Sequence, residues 1–309
     1  MRRARELARA AFAVCAVVAL LFSGAPASAA DGKSQTKAQT KARAIAKAEA
    51  GPGLKSAAAL ISDATTGEVL FQQKPTLIAP IASITKLMTA LVVLDAQQPL
   101  DEVIEVTADD RWKGKGAFSR IPVGAKLTRA DFLKLALMAS ENRAARVLGR
   151  NYPGGIPEFV KTMNLKAKVL GMTQSKFDDP SGLSNDNVSS ARDLAKLINA
   201  ASREVTIREF STLQSHEVRI NRRSTLVYRN TNLLIGKPDW DIRVQKTGFT
   251  NDAGECLAMQ TLIGERTVNM VFLNSFGKLT RTADARRVRK WMEAKDQPKV
   301  ETAAEVARQ

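Results

Sequence analysis

Strand-forming segments stand at the two ends of this chain and helix-forming segments fill the middle, an order that leaves few folds open. Ala57 to Ser62 reads as a short buried strand, Thr65-Thr66-Gly67 as a turn, and Glu68 to Gln72 as the returning strand. Strand character returns only at Ile242 to Gln245, Leu257 to Ile263 and Val268 to Leu273, with Gly264-Glu265 as a tight hairpin between the last two. Between these ends the apolar period is helical: Leu87, Leu91 and Leu94, then Phe132, Leu135, Leu137 and Met138, then Phe159 to Leu170 and Ala191 to Ala200. Ala283 to Met292 adds a terminal helix. Strands so far apart in sequence have to meet in one sheet. The expected fold class is therefore α+β, an antiparallel sheet flanked by helices with an inserted all-helical lobe, and a ligand would sit in the cleft between sheet and lobe.

The first residues stand apart from that fold. Arg2, Arg3, Arg5 and Arg9 precede an apolar run from Ala10 to Phe22, and Ala27-Ser28-Ala29 offers a small-residue cleavage site. This is the pattern of a secretory signal peptide over 1–29; the run falls short of the roughly 20 apolar residues that a membrane span needs. Residues 30–53 are a polar linker rich in Lys, Ala, Gln and Thr and closed by Gly51-Pro52-Gly53. The folded domain is expected over 54–296, followed by a disordered tail over 297–309. Removing the leader takes four Arg and one Glu from 47 basic and 31 acidic residues, leaving 43 and 30, a net charge of +13. The expected location is the periplasm, with no stable membrane anchor after cleavage.

Composition excludes much chemistry. The chain has one His, His216, and two Cys, of which Cys15 lies in the leader and Cys256 heads an apolar strand as a small buried hydrophobe. No zinc site can be assembled from so few ligands, and no metal or cofactor is called for. A Ser-His-Asp triad would have to run through His216, which reads as an exposed loop or strand-edge residue between Ser215 and Glu217.

A serine can also be activated by a lysine. Ser83-Ile84-Thr85-Lys86 lies where an extended segment ending at Pro80 turns into the helix carrying Leu87. A Ser in the first helical turn sits at the positive end of the helix dipole, and Lys86, three residues on, shares its face. A buried Lys can lose its proton and serve as a general base. Ser-x-x-Lys occurs three times, but Ser34 to Lys37 lies in the linker and Ser275 to Lys278 contains Gly277; neither opens an apolar helix. Two further motifs occur once each. Ser140-Glu141-Asn142 follows the helix ending at Ala139, and Lys246-Thr247-Gly248 ends the strand beginning at Ile242. Lys246 and Thr247 can hold a carboxylate, and Gly248 on a strand lets a substrate backbone approach. Taken singly, Ser140 reads as a helix cap and Lys246 as a solvated strand charge; the ordered set of three points to chemistry instead.

Those three motifs in that order resemble the penicillin-binding proteins and serine β-lactamases. The stretches Pro80 to Ala90 and Lys246 to Asn251 are similar to the low-molecular-mass D-alanyl-D-alanine peptidases. Leu137 to Ala145, Asn151 to Gly155 and Arg229 to Asn232 resemble the endopeptidase branch, where the carboxypeptidases usually have Gly-Asn-Asp in place of Glu141-Asn142-Arg143. The resemblance implies a β-lactamase/transpeptidase-like fold and an acyl-enzyme on Ser83, with Lys86 as proton acceptor and Ser140 relaying a proton to the leaving amine. It implies that Asn142 binds the substrate amide and that Lys246, Thr247 and Gly248 orient the substrate. The backbone N–H groups of Ser83 and Phe249 would form the oxyanion hole. The implied partners are peptidoglycan stem peptides joined through diaminopimelate and, as covalent inhibitors, β-lactams.

Three alternatives stand beside this reading. A D-alanyl-D-alanine carboxypeptidase of this family typically carries a second, β-rich domain and an amphipathic anchor; only about 60 residues follow Lys246, and Lys295 to Gln309 has few large apolar residues. A β-lactamase needs a carboxylate to activate the deacylating water, and there is no Glu-x-x-Leu-Asn stretch between Asn142 and Lys246. A non-catalytic basic module binding an anionic wall polymer accounts for the charge but not the motifs. Nucleic acid is not expected as a partner of an exported chain with two Tyr and three Trp, where Arg111-Trp112-Lys113 is the basic-aromatic cluster that stands out.

Overall fold

Residues 51–114 and 118–295 are described by a computed structural model. The expected signal peptide, the linker as far as residue 50 and the expected tail over 297–309 lie outside these residues. The two ends of the sequence do meet. Strands β1 (Ser56–Asp63), β2 (Val69–Gln73), β3 (Asp241–Thr250), β4 (Gly254–Ile263) and β5 (Arg266–Ser275) form one antiparallel sheet in the order β2-β1-β5-β4-β3. Leu60 of β1 lies between Val271 of β5 and Gln72 of β2, and Ala258 of β4 pairs with Lys246 of β3. Gly264 turns the β4–β5 hairpin with φ +58°, as expected of a two-residue turn.

Seven α-helices are present among the described residues: α1 (Thr85–Asp95), α2 (Arg129–Met138), α3 (Asn142–Arg150), α4 (Gly155–Val169), α5 (Ala191–Ala201), α6 (Val205–Thr212) and α7 (Thr280–Lys295). They sit on both faces of the sheet. Side chains alternate along a strand, so Ala58, Leu60, Ala258, Val271 and Leu273 face one core with α1, α2, α3 and α5. Ala59, Ile61, Met259, Met270 and Phe272 face a second core with Ala285, Val288, Trp291 and Met292 of α7. Burial on both faces is why these strands read as continuous apolar runs.

Helix α1 is buried on every side from Thr85 to Val93. Its expected stripe of Leu87, Leu91 and Leu94 is therefore only part of its apolar surface. It is the central rod of the helical lobe, and its N-terminal end faces β3.

The Ser215–Asn221 and Ser224–Arg229 hairpin was not foreseen. Only Val218 and Tyr228 of its residues are buried, so it carries little apolar signal. His216 lies on an edge strand of this hairpin, partly buried rather than exposed, and its Nε2 is 2.8 Å from Asp131 Oδ1 of α2. That contact gives it a structural role.

Candidate active site

The segment before α1 is pinned and then bent. Ala79–Pro80 pairs with Val188–Ser189, and Ile81 N donates to Asn187 O at 3.0 Å. Ala82 then takes φ +46°, a conformation L-residues rarely adopt, and the chain enters a 3-10 turn over Ala82–Ile84. Ser83 therefore sits on this turn, just before α1 rather than within its first α-helical turn. The tighter winding keeps positions i and i+3 on one side. Lys86 Nζ accordingly lies 2.7 Å from Ser83 Oγ.

Lys86 is wholly buried and has two further partners. Its Nζ donates to Asn142 Oδ1 at 2.7 Å and to Ser181 O at 2.6 Å. Burial pulls its pKa down to about 7, although the charges of Asp179 and Glu141 pull the other way. A neutral amine has two N–H bonds and one lone pair. Asn142 Oδ1 and Ser181 O can only accept, so they take the two N–H bonds and the lone pair is left facing the Ser83 hydroxyl. The arrangement is a hydroxyl next to a base held in the orientation needed to remove its proton.

The other two motifs close around this pair. Ser140 sits in the αL conformation, φ +60°, between α2 and α3. It does not cap the helix: Glu141 does, its Oε2 accepting from Ala144 N at 2.8 Å. The strained turn instead faces Ser140 and Asn142 into one hollow. Lys246 is wholly buried, which excludes its reading as a solvated strand charge. Burial, followed by the neighbouring Lys86 and Arg281, holds its pKa well below the usual lysine range. Its Nζ donates to Thr247 O at 2.8 Å, and the Thr247 and Thr231 hydroxyls are 2.6 Å apart.

Gly248 has a nearer reason than the approach of a substrate. A Cβ there would stand 2.8 Å from Ile81 O and 3.1 Å from Ser83 N, so the missing side chain is what lets β3 lie against the nucleophile turn. Phe249 follows and is 57% exposed. The structure thus brings Ser83, Lys86, Ser140, Asn142, Lys246, Thr247 and Gly248 to one cleft, with Phe249 at its rim.

Comparison with known proteins agrees with this geometry. The peptidase S11 family, described as D-alanyl-D-alanine carboxypeptidase, matches residues 45–277. The chain belongs to that family. A D-alanyl-D-alanine endopeptidase of Pseudomonas aeruginosa is 48% identical over 256 residues, 82% of this chain and 83% of that one. One of Escherichia coli (strain K12) is 47% identical over 243 residues, 78% of each chain. Among solved structures, the Streptomyces K15 DD-transpeptidase superposes with a TM-score of 0.73 at 25% identity, over 79% of this chain and 98% of that one. Penicillin-binding protein D2 of Listeria monocytogenes, in its cefotaxime-bound form, gives 0.68 at 29% identity, over 78% and 97%.

The site of this S11 peptidase also includes residues outside the three motifs. Asp178 to Leu183 has the composition of a turn and supplies the Ser181 carbonyl to Lys86. Asp179 builds that loop: its carboxylate accepts from Ser181 N at 2.6 Å, Gly182 N at 3.0 Å, Ser184 N at 2.8 Å, Asn187 Nδ2 at 2.6 Å, and the Ser181 hydroxyl. Thr89 Oγ1 of α1 donates to Pro180 O at 2.6 Å and ties the loop to the helix. Arg281 of α7 was also missed. Its Nη1 donates to Gly248 O at 2.7 Å and pairs with Glu255 Oε2 at 2.6 Å, bracing β3 from behind. Asp-Pro-Ser-Gly is a turn signal by composition, and no local spacing betrays a partner 95 residues away.

Proposed function

We propose that this S11 peptidase is a serine DD-endopeptidase that hydrolyses D-alanyl cross-links between peptidoglycan stem peptides. The observation that carries the chemistry is the three-way hold on Lys86 Nζ by Ser83, Asn142 and Ser181. Ser83 Oγ attacks the carbonyl carbon of the D-alanyl residue as its proton passes to Lys86 Nζ. The C–N bond of the tetrahedral intermediate breaks, and the proton reaches the leaving amine by way of Ser140. Asn142 hydrogen-bonds the amide of the acyl part, and Lys246 and Thr247 orient the amine part, with the backbone N–H groups of Ser83 and Phe249 facing the oxyanion. Water then attacks the ester, Lys86 takes its proton, and the D-alanyl carboxylate is released. A β-lactam enters by the same first step and stays as an acyl group on Ser83.

The choice of cross-link over terminal D-alanine rests on the Glu141-Asn142-Arg143 sequence and on the two endopeptidase relatives at 48% and 47% identity. The basic leader and apolar run of residues 1–29 support a periplasmic location, where the proposed substrate lies. A non-catalytic wall-binding module has no use for a buried lysine of lowered pKa facing a serine.

One digestion tests the reading. Purified cross-linked muropeptide dimer is mixed with monomeric pentapeptide and the products are followed by mass spectrometry, with Ser83→Ala in parallel. Dimers split into monomers, with pentapeptide left largely intact, are the expected result. Loss of terminal D-alanine while dimers persist would assign a carboxypeptidase instead. No difference between the wild type and the mutant would leave only binding.

A further inference from the structure

A hollow of about 260 Å³ opens beside the reaction centre, between the Ser140 turn and the hairpin of Ser215–Asn221 and Ser224–Arg229. Ser140, Glu141 and Asn142 line one wall, and Arg120, Tyr228 and Arg229 line the other. Asn142 joins it directly to the chemistry, because its Oδ1 accepts from Lys86. Two features of the far wall are not accounted for by folding. Tyr228 is only 5% exposed, and apart from the nearby Arg120 guanidinium its hydroxyl has no well-aligned hydrogen-bond partner among the described residues. A buried hydroxyl left unpaired costs about 1–3 kcal/mol, so its retention in a cleft calls for a partner that arrives.

The second feature is charge. The Arg120 guanidinium stacks 4.0 Å above the Tyr228 ring, and one of its nitrogens donates to Val227 O at 2.9 Å, which fixes it in the wall of the hollow. Arg229 adds a second guanidinium at the exposed lip. The one acid in the lining, Glu141, already accepts from Ala144 N at the start of α3. Burial, with the charge of Glu141 adding to it, pushes the Tyr228 phenol up to about 12, so it stays protonated and able to donate at neutral pH. Two guanidinium groups and a phenol donor around a space of this size match a carboxylate.

We propose that this hollow is a subsite for a free carboxylate on the stem peptide, held by Arg120, Arg229 and the Tyr228 hydroxyl. The proposal rests on the endopeptidase reading above and names what that site recognises beyond D-alanine. A diaminopimelate cross-link supplies the group: the residue has two carboxyls, only one of which is spent in the stem's own chain.

The test is a binding measurement on the full chain carrying Ser83→Ala, which stops turnover. Two synthetic D-alanyl-cross-linked dimers are titrated by calorimetry, one with its diaminopimelate carboxylates free and one with them as carboxamides. The acid is expected to bind at least about tenfold more tightly. Adding Arg229→Gln or Tyr228→Phe should reduce that advantage about fivefold or more, while the amide is affected little. Thermal melting identifies a variant that does not fold, and Tyr228→Phe, which removes a single oxygen, stands in for Arg229→Gln if the latter fails. Equal affinity for the two dimers overturns the proposal. So does a preference for the acid that survives both substitutions, since the carboxylate would then be held elsewhere. Hydrolysis of the same dimers by the wild-type enzyme is read separately. Preferential binding without cleavage would overturn the endopeptidase reading and leave the subsite standing, and failure to bind either dimer would overturn both.

Discussion

A Cβ on Gly182 would lie 2.0 Å from the carbonyl oxygen of Ala82, inside any allowed contact, and Gly182 holds φ +80°. The loop that fixes Lys86 and the turn that carries Ser83 are thus packed backbone to backbone. Both sides are in unusual conformations, Gly182 by the nature of glycine and Ala82 by force of its surroundings. Replacing Gly182 with Ala has no relaxed solution. The expected cost is at least about 2 kcal/mol, read as a lower urea midpoint, together with slower labelling of Ser83 by a fluorescent penicillin. Labelling at the wild-type rate would mean that the loop and the turn are not coupled.

The pH profile follows from the state of Lys86. Its pKa of about 7 is low because burial disfavours the cation. Below that pH the amine is charged and has no lone pair for the Ser83 proton; above it the amine is neutral and the base is ready. Acylation by a penicillin is therefore expected to fall about tenfold per pH unit below 7 and to level off above it. Stopped-flow fluorescence from pH 5 to 9 measures this directly. A flat profile between pH 5.5 and 8.5 would remove Lys86 from the role of base.

Sequence and structure agree best where signals are local. The strands at both chain ends, the Gly264-Glu265 turn and the three motifs are all readable because each is a run or a spacing of a few residues. Ser83 and Lys86 were legible as a pair for the same reason. What was hidden lies in long-range contacts. Ser181 holds Lys86 through a backbone carbonyl, which any residue type would supply, so its identity could carry no signal. Arg281 looks like one more cation on a basic helix until α7 is docked behind Gly248. Gly248 itself was legible as a special position, but its packing against the Ser83 turn was not: a strand glycine announces a close approach without saying what approaches. His216 was legible as a strand-edge residue, but its partial burial was not, because its partner, Asp131, belongs to a different element. Asp131, though burial pushes its carboxyl upward, is held below its usual range by hydrogen bonds from His216 and Thr128 and by the charge of Lys134, of which only the His216 contact is tertiary.

Asp179→Asn separates the loop's two contributions. The carboxylate accepts five hydrogen bonds from within the loop, and a carboxamide cannot accept from all of those donors. Each buried donor left unpaired costs about 1–3 kcal/mol, so a clear fall in melting temperature is expected. The charge of Asp179 also raises the proton affinity of Lys86. With that charge gone, Lys86 should lose its proton more readily, and the acid limb of the acylation profile should move below pH 7 even as the enzyme becomes less stable. A destabilised protein with its acid limb unmoved would show that Asp179 acts only as a scaffold.

Thr231→Val tests how the third motif is held. Thr231 N donates to Met138 O at 3.0 Å, which ties this segment to the end of α2, and its hydroxyl meets that of Thr247 at 2.6 Å. One hydroxyl in the pair donates to the other, so Thr231 fixes which way the Thr247 O–H points and therefore what Thr247 offers a substrate. Valine keeps the shape and the backbone bond and removes only the hydroxyl. The substitution also removes the long 3.4 Å hydrogen bond from Thr231 Oγ1 to Met138 O, but only the bond to Thr247 bears on the substrate. Losing that one, about 1 kcal/mol, corresponds to a loss of about fivefold in kcat/KM on the cross-linked dimer. Because Thr247 is assigned to orienting the substrate and not to proton transfer, the loss should fall mainly on KM, with the pH midpoint of acylation unchanged. A loss confined to kcat, with a displaced pH midpoint, would place the Thr231–Thr247 pair in the proton path instead.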